Sequence, residues 1–134
     1  MTLLMACAAP LCLRADSPLE EQMDTMKGAF RALRTSLEAP AEADRGTYVA
    51  LAEELRAAAV AAKEHEPQKT RSLPEDKRAA FLGDYRQSID DLVTLIDELK
   101  TQLADGKWDE ARAQIKLINQ SQRDGHKEFR QEEN

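Results

Sequence analysis

Donor atoms for a transition metal are scarce in this chain, so each is informative. Its 134 residues include two histidines, two cysteines and four methionines. His126 sits in the segment Q-S-Q-R-D-G-H-K-E-F-R, Gln120 to Arg130, near the C-terminal end. Met23 and Met26 lie near the other end. An imidazole nitrogen and a thioether sulfur on one metal ion would suit one-electron chemistry. Acid–base chemistry has no comparable candidates. The pairs Asp90-Asp91 and Glu53-Glu54 are adjacent, so on a helix they point in different directions. No E-x-x-H pattern recurs to build a di-iron centre. No enzymatic activity is expected.

Four helices must position those donors. Ser17 is a good N-cap, Pro18 suits the first helical position, and Glu20 completes a capping-box pattern. Apolar residues then recur at Leu19, Met23, Met26, Phe30, Leu33 and Leu37 with spacings of three and four. Pro40, Asp44 and Gly46 mark a loop. A second helix from about Thr47 to Glu64 buries Tyr48, Leu51, Leu55, Ala58, Ala59 and Ala62. Its change from leucine to alanine lets a neighbouring helix come close or leaves room for something flat and large. His65 closes this helix and Pro67 stops it. A polar connection, Glu66 to Leu73, follows. Ser72, Pro74 and Glu75 open a third helix with the stripe Phe81, Tyr85, Ile89, Leu92, Ile96, Leu99 and Leu103. Gly106 fits the left-handed position that ends it. The fourth helix carries Trp108, Ala111, Ile115, Ile118, Gln122, His126 and Phe129 on one face. His126, eleven positions after Ile115, falls about 20° from it around the axis and is expected to point inward.

The expected fold is therefore all-α, an antiparallel up-down-up-down four-helix bundle. In it the first and fourth helices are neighbours. Met23, five residues after Pro18, lies about 7–8 Å into its helix, and His126 is about as far from the end of the last. Phe81, Tyr85 and the small residues Ala58 to Ala62 reach the same end. A thioether, an imidazole, two rings and a patch of small side chains are what a haem pocket needs. Each donor also has a plainer role: methionine as core filler, and histidine as a favourable charge at a helix C-terminus.

Composition narrows the function further. Charged residues make up 33% of the chain, aromatics only 4%, and the net charge is -6, which argues against nucleic acid as a partner. No run of about 20 apolar residues is present to span a bilayer. Residues 1–15, M-T-L-L-M-A-C-A-A-P-L-C-L-R-A, resemble the hydrophobic part of an export signal cut after Ala15. A looser alternative is lipoprotein anchoring through Cys7, and an ordinary apolar tail is the third. Residues 16–134 then form one domain, and a monomer is expected. Both cysteines, Cys7 and Cys12, fall in the segment removed.

Several segments resemble the soluble cytochrome b562 family. They are L-E-E-Q-M-D-T-M at Leu19 to Met26, D-Y-R-Q-S-I-D-D-L-V-T-L-I-D from Asp84, D-G-K-W-D-E-A at Asp105 to Ala111, and Q-R-D-G-H-K-E-F-R ending at Arg130. The resemblance implies a periplasmic electron-transfer protein with one b-type haem per chain. It implies axial ligation by Met23 and His126, with Tyr85 and Ile89 lining the pocket. Phe81 and Met26 join them as candidates. No C-x-x-C-H is present, so the haem would be held non-covalently. Arg123, Lys127 and Arg130 are candidates to pair with its propionates. Met26 and His65 are rival ligands to Met23. Gly125 stands beside His126, where a helix interior disfavours glycine by ~1 kcal/mol. The partners implied are haem and an unidentified redox protein. The alternative function is a haem-free periplasmic bundle for protein interaction or stress sensing.

Overall fold

The computed structural model describes residues 17–130, so the expected export signal and Cys7 lie outside the described residues. The fold is all-helical, with no strand among the described residues. Four long helices are present: α1 (Pro18–Ser36), α2 (Arg45–Lys63), α4 (Glu75–Ala104) and α5 (Trp108–Phe129). The polar connection before α4 contains a one-turn helix, α3 (Lys69–Ser72), and a 3-10 turn (Glu42–Asp44) precedes α2. Both depart from the expected four-element pattern. Pro67 and Pro74 bracket α3 and confine it to a single turn.

Local signals set most helix ends. The Ser17 hydroxyl accepts from the Glu20 amide at 3.2 Å, with Pro18 in the first turn. Gly106 has φ +70°, the conformation expected of it, and α5 starts two residues later. The expected Ser72 cap does not form. Pro74 stands at the cap position, and the Ser72 hydroxyl donates to Lys69 O at 2.7 Å, closing the α3 turn instead.

The core runs through all four long helices, with Leu33, Leu55, Ile96, Leu99, Leu103 and Ile118 fully buried. α2 packs closely on both α1 and α4, and α4 on α5. The α2 face is turned slightly from expectation. Ala52 is fully buried and Leu51 only half-buried, because a helix flanked on two sides needs small residues along its buried face. Ala52, Ala58, Ala59 and Ala62 therefore let neighbouring helices approach, the plainer of the two roles open to an alanine-rich face.

Arginines and tyrosines join the helix ends. Arg45 Nη1 donates to Ala104 O at 2.9 Å, linking the start of α2 to the end of α4. Arg112 Nη1 donates to Leu37 O at 2.9 Å, linking the start of α5 to the end of α1. At the far end of α2, Tyr85 Oη donates to Ala62 O at 2.6 Å. Near Arg45, Tyr48 meets Trp108 edge-on at 5.6 Å, and the Arg45 guanidinium lies 5.8 Å from the Trp108 ring centre.

Candidate functional site: the seam between α1 and α5

The backbones of α1 and α5 do not pack tightly against each other, unlike those of the sequential helix pairs. The Arg112–Leu37 hydrogen bond ties them at one end. Met23 stands 14 residues before Leu37 and His126 stands 14 residues after Arg112. At 1.5 Å per residue each lies about 21 Å along its helix from that bond.

The two donors differ in cover. Met23 is half-buried and packs with Leu19 against the main core. Met26 is 4% exposed and belongs to that core. His126 is exposed, which corrects the expected inward orientation. Its stripe is right, since Ile115 and Ile118 are buried above it and Phe129 below. A stripe is buried only where a neighbour covers it, and here α1 stays apart. The imidazole still feels the protein on one side. Partial burial, and then the Arg130 charge, lower its pKa below the usual 6.5. A neutral imidazole with a free lone pair is the form that binds a metal.

Phe81, Tyr85 and Ile89 come together, but around Phe129 of α5. Phe81 and Tyr85 meet the Phe129 ring edge-on at 5.4 and 5.6 Å. Burial pushes the Tyr85 phenol up to about 12, and its proton goes to Ala62 O. Lys69 Nζ donates to Glu128 O at 2.9 Å and lies 5.9 Å from the Phe81 ring centre. Phe129 and Lys69 thus hold the α5 turn that carries His126. Phe129 was legible only as the next member of the His126 stripe. Lys69 sits in a polar connection with no pattern to mark it.

The remaining candidates are peripheral. Arg123, Lys127 and Arg130 are exposed. His65 is half-buried just past the end of α2. A Cβ at Gly125 would have Ser88 Oγ of α4 as its nearest neighbour, at 3.7 Å. The space left by this glycine therefore faces α4. Among the described residues no group of three or more His, Cys, Asp or Glu side chains is placed to hold a bare metal ion. Two surface hollows are present among the described residues, one around Gly106–Arg112 and one between α4 and α5 that reaches Gly125 and Phe129.

Among the described residues, the His126 imidazole and the Met23 thioether thus lie on α5 and α1 at matched distances from the Arg112–Leu37 bond. The chain matches the cytochrome b562 family over residues 18–130, and it belongs to that family. That is a family of small haem-binding electron carriers. No curated protein matches the chain. None of the described helices is long and apolar enough to cross a membrane.

Proposed function

We propose that this chain is a periplasmic electron-transfer cytochrome that holds one b-type haem non-covalently, with Met23 and His126 as axial ligands. The observation that carries this reading is the equal 14-residue reach of the two donors from the Arg112–Leu37 bond, on two helices whose backbones stay apart. An antiparallel up-down-up-down course for α1, α2, α4 and α5 accompanies it. The hydrogen bonds of Arg45 to Ala104 O and of Tyr85 to Ala62 O support that course, since the first joins the start of α2 to the end of α4 and the second joins the end of α2 to the first half of α4.

Haem held by Met23 and His126 would supply a one-electron ferrous–ferric couple rather than oxygen or peroxide chemistry. His126 contributes a lone pair that stays unprotonated near neutral pH. Met23 contributes a soft sulfur that favours the ferrous state and raises the potential. Met26 serves the core instead, being nearly fully buried. Phe81, Tyr85 and Ile89 wall the site from the α4 side, and the exposed Arg123, Lys127 and Arg130 are the candidates to pair with the propionates. Residues 1–15 act as the export signal, and the product is a monomer without enzymatic activity.

Titration of the purified protein with haem tests this. One-to-one uptake with sharp, split low-spin ferrous bands is expected, and absence of stoichiometric uptake refutes the reading. His126→Ala should abolish low-spin binding. Met23→Ala should leave haem bound but five-coordinate and high-spin, whereas Met26→Ala should keep the low-spin bands.

A further inference from the structure

The acids of α4 are treated differently on its two sides. Toward α2 they are neutralised: Lys63 Nζ lies 2.7 Å from Asp90 Oδ1 and Arg56 Nε 2.7 Å from Asp97 Oδ1, and Lys100 reaches back to Glu53 at 3.2 Å. Toward α5 they are not. Asp84 and Asp91 of α4, with Asp124 and Glu128 of α5, edge a groove of about 660 Å³. No lysine or arginine lines it, and none of the four carboxylates has an ion-pair partner among the described residues. Gln87 donates to Asp91 and Gln120 to Asp124, each at 2.9 Å, but a neutral amide leaves the charge in place.

The groove also has an apolar part. Leu95 and Phe129 line it, and Leu117 is 55% exposed beside them, one of two large hydrophobic side chains left open among the described residues. Gly125 lines it too, so the absent side chain opens the main chain next to His126. An apolar contact ringed by unpaired like charges is how a surface meets a partner of the opposite sign. A second copy of this chain would bring the same charges and be repelled, as would a nucleic acid.

We propose that the α4–α5 groove is the docking surface for a basic electron-transfer protein, whose lysines or arginines meet Asp84, Asp91, Asp124 and Glu128 while an apolar side chain covers Leu117. The proposal rests on the haem reading of His126 for its purpose: the partner's centre comes to the back of the ligand turn. One electron then passes from the reduced haem protein to the partner's oxidised one-electron centre, and no bond or proton is exchanged.

The test uses a basic c-type cytochrome of net positive charge as the probe. Electron transfer from the reduced, haem-loaded protein is followed by stopped flow at low ionic strength. The double variant Asp84→Asn/Asp91→Asn should slow the second-order rate by roughly tenfold, and added salt should erase the difference. The control Glu54→Gln/Glu98→Gln removes the same charge from residues outside the groove and should change the rate less than about twofold. Equal slowing in both pairs, or none in the first, overturns the proposal. Chemical-shift mapping of the haem-free protein with the same cytochrome separates docking from ligation. Shifts should gather at groove residues of α4 and α5 and weaken in Leu117→Ser. Shifts centred elsewhere, or none, refute the docking surface even if haem binds, whereas groove shifts without haem uptake leave it standing while the haem reading fails.

Discussion

Arg112 of α5 donates from Nη1 to the carbonyl oxygen of Leu37, the residue that ends α1, at 2.9 Å. It is a charge-assisted bond to a helix C-terminus, where the dipole favours a cation. It is also the tie from which Met23 and His126 each stand 14 residues away. Arg112→Ala is expected to cost on the order of 1–2 kcal/mol in chemical denaturation. It should weaken haem binding as well, whereas Arg112→Lys should retain part of both. Unchanged haem affinity in a destabilised Arg112→Ala protein would remove the bond's role in setting the site.

Tyr85 makes the stability depend on alkaline pH. Its phenol is neutral in the folded protein up to about 12, against 10.0 when unfolded. Between these values the unfolded chain gives up its proton first, so stability is whole below pH 10 and falls as pH rises toward 12. The loss is on the order of 2 kcal/mol. Tyr85→Phe should cost about 1 kcal/mol at neutral pH, through the hydrogen bond to Ala62 O, and should flatten this alkaline slope. Urea midpoints across the pH range, compared with the parent, give the measurement.

His126 titrates in the opposite sense. Its folded pKa lies below 6.5, so as pH falls from 6.5 the unfolded chain takes up a proton first and the haem-free protein loses stability. In the proposed haem complex the same shift is protective. Haem affinity should hold steady as pH passes down through 6.5 and decline only below it. A drop centred at 6.5 in optical titrations would show that the imidazole is not shielded.

Phe129 is the main apolar anchor of the ligand turn. Phe129→Ala removes both edge-on contacts and should destabilise the protein by about 3 kcal/mol or more. Nuclear magnetic resonance should show α5 fraying from its C-terminal end, with the broadest signals around Gly125 and His126. Loss of stability without local fraying would argue that α4 holds the turn by other means.

Gly106 is costly to replace. Its positive φ strains any L side chain, and a Cβ there would collide with the Arg45 guanidinium. Gly106→Ala should cost about 1–2 kcal/mol in thermal or urea unfolding, and part of that comes from the displaced bond to Ala104 O.

Much of this was legible in the sequence, for reasons that differ between elements. Ser17 and Gly106 act through chemistry local to a few residues, so they read directly. The stripes of α4 and α5 follow from periodicity, and burial bears them out from Tyr85 to Leu103 and from Ala111 to Ile118. Periodicity gives an angle around an axis but not the presence of a neighbour, which is why His126 was expected inside and lies exposed. Ser72 failed as a cap because two prolines close by redirect the chain. The links from Arg45, Lys69 and Arg112 to distant carbonyl groups leave no pattern at all, since any carbonyl serves as acceptor.

The two ends of the bundle are built from different materials. Around Arg45 and Arg112, guanidinium groups tie α2 to α4 and α5 to α1, while around Phe129 the rings of Phe81 and Tyr85 carry most of the contact and Lys69 adds a single bond to α5. Amide hydrogens at the arginine end should therefore exchange only when the whole molecule opens, since no helix there can release alone. At the ring end α5 can lift by a turn without unfolding its partners, and its amides should exchange through small, frequent excursions. That turn carries His126, so the imidazole proposed to hold haem rides on the segment with the smallest opening unit.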